Sequence, residues 1–251
     1  DGFGVSEGAA VLVLATLSRA RALGHPVLAL IRGSAVGQDG ASNVLSAPSG
    51  AAQQSVIRHA LANAGITAGD VDVVEAHGTG TRIGDPVEAA ALQATYGSAH
   101  SAARPVLIGS VKSNIGHTQW AAGAAGMIKV IESMRHGMVP ATLNLDSPTP
   151  QVDWSSETVR IVDRACPWPE PDHPGHPRRA GVSSFGISGT NAHVILEEAP
   201  AESTTPRPAA SRPAALPWVL SAKSAPALAE QADRLRRFVE QRPGLDPTDV
   251  A

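Results

Sequence analysis

Two histidines stand in glycine-rich surroundings, His77 in Glu75-Ala76-His77-Gly78-Thr79-Gly80-Thr81 and His117 in Lys112-Ser113-Asn114-Ile115-Gly116-His117. A neutral imidazole can donate a hydrogen bond to an oxygen that gains negative charge, and flanking glycines let a ligand or a second backbone come close. His117 precedes a predicted helix, whose positive dipole end disfavours protonation and keeps the ring neutral. Such a pair suits thioester chemistry, in which a carbonyl oxygen becomes an oxyanion or enolate. No nucleophile accompanies it. The single cysteine, Cys166, lies between Ala165 and Pro167 in a proline-rich stretch that reads as a surface connection, where an activated thiolate is hard to build.

The elements that must present these residues follow from periodicity. Residues 8–14 are apolar and β-branched enough for a buried strand, and residues 16–23 read as a short helix ended by Gly24. A strand over 27–36 and a turn-rich loop over 37–50 come next. Gln53, Val56, Ile57, Ala60, Leu61 and Ala64 are spaced as one stripe of a helix closed by Gly65. A strand over 71–75 then delivers the first histidine motif at its carboxyl end. The following helix opens at Pro86, with Asp85 as cap and Glu88 completing a capping box. After a strand over 106–108 and a loop over 109–117, a helix over 119–135 carries the nearly bare run Ala121-Ala122-Gly123-Ala124-Ala125-Gly126. Its two interior glycines destabilise it by about 1 kcal/mol each, so close packing against other backbone must compensate. Strands over 159–162, 180–184 and 190–196 complete a β-α-β alternation that predicts a mixed, mainly parallel sheet. Residues 199–215 have linker composition. Residues 225–240 read as a helix with Leu228, Ala232, Leu235 and Val239 on one stripe and Glu230–Arg234 and Asp233–Arg237 pairs opposite.

Composition narrows the function classes. The chain has 251 residues, 43% hydrophobic and 17% charged, enough for one large domain with an appendage. At 3%, aromatic residues are too few to build the core, so small side chains in tightly layered α/β packing must. A net charge of -3 with scattered cations argues against nucleic acid or anionic lipid as a partner. No apolar run spans a bilayer, so no membrane partner is expected. One cysteine leaves no intrachain disulfide framework and suits a reducing, cytoplasmic location. The opening Asp1-Gly2-Phe3-Gly4 lacks an initiator Met and runs at once into Val11-Leu12-Val13-Leu14, as a segment of a longer protein would.

Competing motifs fail on spacing. Gly78 to Gly84 is GxGxxxG, and residues 98–104 offer no acid for a ribose hydroxyl, so a dinucleotide site is not expected. His173-Pro174-Gly175-His176 lacks a third ligand, and no metal site is expected. Gly181 to Phe185 lacks the closing glycine of a nucleophile elbow.

Taken in order, His77-Gly78-Thr79-Gly80-Thr81, Lys112 to His117, and Gly181-Val182-Ser183-Ser184-Phe185-Gly186-Ile187-Ser188-Gly189-Thr190-Asn191-Ala192-His193 resemble the signatures of the β-ketoacyl synthase (ketosynthase) domain of modular type I polyketide synthases. Leu216-Pro217-Trp218-Val219-Leu220-Ser221 and its following helix are similar to the linker subdomain that leads to an acyltransferase. The resemblance implies a thiolase-like layered α/β fold of two related halves, with this chain supplying mainly the second. Residues 1–26 would end the amino-terminal half and 27–198 form the carboxyl-terminal half. A Pro/Ala-rich linker over 199–215 and part of the linker subdomain over 216–251, a short α/β extension, would follow.

The resemblance also implies roles. His77 and His117 stabilise an enolate, and Lys112 tunes the electrostatics beside them. Thr79 and Thr81 contact a phosphopantetheine arm; on the residues alone, their hydroxyls could equally support the turn. Phe185 and Ile187 belong to the loop behind the nucleophile, with the Ile187 N–H in an acyl oxyanion hole, and Asn191 braces that loop. The nucleophilic cysteine lies in the other half, and Cys166 does not match it. Trp120 departs from the family, which generally has a small residue there. The implied reaction is decarboxylative Claisen condensation of an acyl thioester with a malonyl-type thioester, both carried on acyl carrier protein, with no cofactor bound by this segment. Implied partners are carrier protein domains, the amino-terminal ketosynthase half, a downstream acyltransferase and a second copy in a homodimer. The competing function is a condensing-fold domain that docks, gates or dimerises without chemistry.

Overall fold

Short apolar runs bounded by glycine and polar residues become the central strands. The computed structural model describes residues 2–40, 47–170, 175–200 and 217–244. In chain order α1 (Leu17–Ala22) precedes β1 (Ala29–Gln38), and α2 (Gly50–Ala64) precedes β2 (Val73–Glu75). Then come α3 (Gly84–Thr95), β3 (Val106–Gly109), α4 (Lys112–Ile115) and α5 (Ala122–His136). β4 (Met138–Val139), β5 (Val159–Ile161), β6 (Cys166–Pro167), β7 (Arg179–Phe185) and β8 (Thr190–Glu198) follow, and α6 (Ala225–Glu240) lies beyond.

Six strands form one sheet in the order β1-β8-β7-β2-β3-β5. β7, β2, β3 and β5 run parallel, while β8 pairs antiparallel with β7 and β1, which gives the mixed sheet expected. Because side chains alternate across a strand, each central strand feeds two cores. Val74, Val106 and Ile108 join Ile57, Leu61, Leu92 and Tyr96 under α2 and α3. Val73 and Leu107 face the other way, with Val130, Met134, Val182 and Leu196 under α5. The result is helix, sheet, helix. The carboxyl ends of β2 and β3 lie side by side, with Glu75 opposite Gly109, so the two histidine-bearing loops leave the sheet together.

A buried polar chain ties these layers. His193 is wholly buried, with Nε2 2.6 Å from the Tyr96 hydroxyl and Nδ1 3.0 Å from the Ser183 hydroxyl. Burial lowers its pKa to about 3. An imidazole that stays neutral when folded but protonates at about 6.5 when unfolded binds fewer protons in the native state. Its stabilising contribution is therefore complete above about pH 6.5 and is lost as pH falls toward 3, at about 1.4 kcal/mol per pH unit. Chemical denaturation of the chain from pH 7 to 4 is expected to show this slope, and His193→Gln is expected to flatten it while lowering stability at pH 7.

Several local expectations change. Residues 8–14 pair with no strand among the described residues, and Val11 and Val13 are almost fully exposed. A strand needs a ladder partner for its N–H and C=O groups, and nothing described in this chain offers one there. The predicted loop over 109–117 contains α4, and the helix expected from 119 begins as a 3-10 turn, Gln119–Ala121, before α5. No side chain caps α3, whose N-cap is Ile83. Cys166 lies in β6 paired with Val139, half-buried against the α5 core, and so is not on a surface connection. His173 and residues 201–216, most of the expected linker, lie outside the described residues.

The chain divides into two compact units, residues 1–202 and 203–251. In the second, Ser224 caps α6 by accepting the Ala227 N–H, and the Glu230–Arg234 and Asp233–Arg237 pairs form at 3.7 and 3.1 Å. Among the described residues, no helix is long and apolar enough to cross a membrane.

Candidate functional site

The loops after β2 and β3 bring the two histidine motifs into one site. The His77 and His117 rings stand edge to face with centroids 5.6 Å apart. Phe185, at the end of β7, lies 5.8 Å from the His77 ring, and Phe3 lies 5.0 Å from the His117 ring. Lys112 opens α4 and is buried between the loops. His77, Lys112 with His117, and Phe185 therefore converge from three separate stretches of sequence.

Carboxylates fix the His77 loop. Glu88 accepts the N–H of His77 at 2.7 Å and that of Gly78 at 2.8 Å, one on each oxygen. Asp85 accepts the N–H of Gly80 at 2.9 Å. The acids expected to cap α3 thus turn back onto the loop before it, because that loop's N–H groups have no other partner in a buried setting. Burial pushes the Glu88 pKa up to about 7 against the two N–H bonds that favour its charge. Gly80 and Gly116 have φ of 72° and 76°, and a Cβ there would meet the carbonyl oxygens of Gly2 at 2.4 Å and Gly4 at 2.8 Å. These glycines let residues 2–6 lie across both loops, with Gly2 N–H bonded to Gly80 O at 2.6 Å and His117 N–H to Gly4 O at 2.8 Å.

Both imidazoles are held neutral. Burial lowers the His77 pKa to about 3, with the Lys112 ammonium and His117 adding to it. Burial and Lys112 also lower that of His117. The 3-10 turn Gln119–Ala121 that leads into α5 begins two residues after His117. His117 Nδ1 accepts the Gln119 N–H at 3.0 Å, so the proton of its neutral ring sits on Nε2, the tautomer that donates outward. Gln119 adopts a left-handed φ of 54° at this bond. His77 Nδ1 is buried and finds no hydrogen-bond partner among the described residues. For Lys112, burial lowers the pKa and the Lys129 ammonium adds to this, against the carboxylates of Glu75, Glu88 and Asp85, which favour the charged form. The site thus combines two neutral imidazoles with a buried lysine whose pKa is lowered.

The remaining predicted residues take other places. Thr79 is buried, and its hydroxyl lies 3.3 Å from that of Thr81, which accepts the Gly84 N–H at 3.1 Å; both support the turn. Ile187 is exposed at the tip between β7 and β8. Asn191 is buried behind that tip, donating to Asp39 at 2.7 Å and to the Gly189 carbonyl at 3.4 Å, a bracing position and not a contact face. Trp120, in the turn after His117, projects fully into solvent. A cleft of about 860 Å³ behind the loops is bordered by Thr79, Lys112, Asn144 and Trp154, but neither histidine lines it. No cluster of three His, Cys, Asp or Glu able to hold a metal ion occurs among the described residues.

Sequence reasoning did not place Glu88, Asp85, Phe3 or Glu75 among the site residues, although Glu75 lies within the first histidine motif. A detectable signal existed for the acids: each is a carboxylate at the edge of a buried apolar element, where it must find donors.

Residues 28–146 match the family profile described as "Beta-ketoacyl synthase, C-terminal domain", and residues 148–251 match "Ketoacyl-synthetase C-terminal extension". The whole chain is 58% identical over 257 residues to a phenolphthiocerol synthesis polyketide synthase type I of Mycobacterium bovis. It is 59% identical over 255 residues to the spectinabilin polyketide synthase system protein NorC of Streptomyces orinoci. It spans 12% and 11% of those two proteins' lengths. Among solved structures, the ketosynthase from module 6 of the bacillaene synthase of Bacillus subtilis is 37% identical, with a TM-score of 0.71 over 94% of this chain and 41% of that one.

Proposed function

Since this chain belongs to the β-ketoacyl synthase family, as the carboxyl-terminal part of a thiolase-like ketosynthase domain of a modular type I polyketide synthase, we propose that its histidine pair stabilises the enolate in decarboxylative Claisen condensation. The observation that carries this is the facing of two neutral imidazoles, 5.6 Å apart, beside the buried Lys112. When a malonyl-type thioester loses carbon dioxide, the electron pair of the broken C–C bond moves toward the thioester oxygen. Outward N–H donors on His77 and His117 bind that oxygen, and the nearby ammonium lowers the potential without placing a proton on either ring. The enolate carbon then attacks an acyl-cysteine thioester, and collapse of the adduct releases the cysteine thiolate.

In this proposal the cysteine and its acyl oxyanion hole come from the amino-terminal ketosynthase half, with the Ile187 N–H as the second donor of that hole. Both substrates arrive on the phosphopantetheine of acyl carrier protein, past Thr79 and Thr81, and this segment binds no cofactor. Residues 1–26 close the other half, 27–198 form this one, 199–215 link, and 216–251 begin the subdomain leading to an acyltransferase. The assembly is a cytoplasmic, dimeric multidomain synthase. Apolar Val11, Val13, Trp120 and Ile187, all largely exposed, support a surface that another part of the protein completes.

This chain by itself is expected to give no condensation product from acyl and malonyl carrier-protein thioesters. Joined to its cysteine-bearing half it is expected to do so. Turnover by the 251-residue chain alone would defeat the proposal.

A further inference from the structure

Glu75 is a buried carboxylate to which the condensation chemistry above assigns no step, although its charge favours the Lys112 ammonium. It ends β2 two residues before His77 and is 3% exposed. One oxygen accepts the Val111 N–H at 2.5 Å, and the other accepts Lys129 Nζ at 2.7 Å. Val111 is the N-cap of α4, one peptide before Lys112. Glu75 thus grips the turn that carries Lys112 and, through Lys129, anchors it to α5.

The neighbouring helix is shaped for this carboxylate. Gly126 precedes Lys129 by three residues and lies on the same face of α5. A Cβ at Gly126 would stand 2.9 Å from Glu75 Cγ, so α5 carries no side chain where the acid passes. A buried carboxylate is costly unless paired and hydrogen-bonded, and here both oxygens are engaged, one by a cation and one by a single backbone N–H next to Lys112.

We propose that Glu75 is a positioning residue for Lys112, fixing α4 through the Val111 N–H while Lys129 fixes Glu75. The proposal rests on the reading that Lys112 takes part in condensation. A purely structural ion pair between β2 and α5 is the alternative, and it predicts effects on stability alone.

The test uses the intact ketosynthase with three variants, Glu75→Ala, Glu75→Gln, and Glu75→Ala combined with Gly126→Glu. The double variant removes the strand carboxylate, frees the space beside Gly126, and offers a carboxylate from α5 to the same volume. Glu75→Ala is expected to lower kcat by roughly tenfold to a hundredfold, with KM for the carrier-protein substrate nearly unchanged, because a displaced group weakens the reacting geometry more than binding. The double variant is expected to recover part of that kcat. Amide exchange at Val111 and Lys112, read by mass spectrometry, is expected to quicken in Glu75→Ala and to slow again in the double variant. Should Glu75→Ala not fold, Glu75→Gln, which keeps an acceptor for Val111, is expected to hold exchange near wild type. Unchanged kcat in a folded Glu75→Ala protein, or unchanged exchange at Val111 in any folded variant that lacks the acceptor, would overturn the proposal. Absence of condensation by the wild-type ketosynthase would instead fail the functional reading, while exchange at Val111 would still decide whether Glu75 holds α4.

Discussion

Replacing His117 by alanine in the ketosynthase joined to its cysteine-bearing half is expected to slow condensation by roughly a hundredfold to a thousandfold, about 3 kcal/mol in transition-state stabilisation. His77→Ala is expected to lose a similar amount. The reason lies in the tautomer and the charge. The Gln119 N–H bond to Nδ1 leaves the His117 proton on Nε2, and burial with the Lys112 ammonium keeps both rings neutral. A glutamine at 117 supplies an N–H donor of different reach and is expected to recover only part of the rate. Steady-state kinetics with carrier-protein substrates would check this, and a loss confined to KM would assign the histidines to binding alone.

Glu88→Ala is expected to produce the largest loss of stability among the site residues. Its two oxygens satisfy the N–H groups of His77 and Gly78, and alanine would leave both donors unpaired in a buried loop. Each unsatisfied donor costs about 1–3 kcal/mol, so a total of about 2–6 kcal/mol is expected, together with a displaced His77 and slower condensation. Glutamine supplies one acceptor for two donors and should fall between. The pH dependence has the opposite sign to that of His193. An acid whose pKa is about 7 when folded and about 4.5 when unfolded binds more protons in the native state. Its contribution is complete below about pH 4.5 and is lost as pH rises to about 7, and Glu88→Ala removes that component. Denaturation midpoints of the two proteins across pH 5 to 8 would show it.

Much of this was legible in the residues. The apolar run ending at Glu75 and the stripe from Gln53 to Ala64 specify β2 and α2 because burial acts on pattern, and Gly65 closes α2 with a left-handed φ of 67°. The histidine loops were visible because glycine at 80 and 116 has a steric reason. What local pattern could not reveal was where charged groups turn. Asp85 and Glu88 fit a cap by spacing, yet the loop before α3 has the greater need of acceptors, and they serve it. The strand expected over residues 8–14 has the right composition but no described partner, since pairing depends on what lies beside a segment and not on the segment itself. Lys129 and Glu75 are 54 positions apart, and only the sheet and α5 bring them together.

The central claim is that His77 and His117 stabilise an enolate formed independently of the nucleophile. The most direct measurement is the release of carbon dioxide from a malonyl carrier-protein thioester by the joined ketosynthase, with its cysteine changed to alanine. Decarboxylation is expected to persist there, and to fall by roughly a hundredfold when His77 or His117 is also changed to alanine. Decarboxylation that continues undiminished without either histidine would contradict the account.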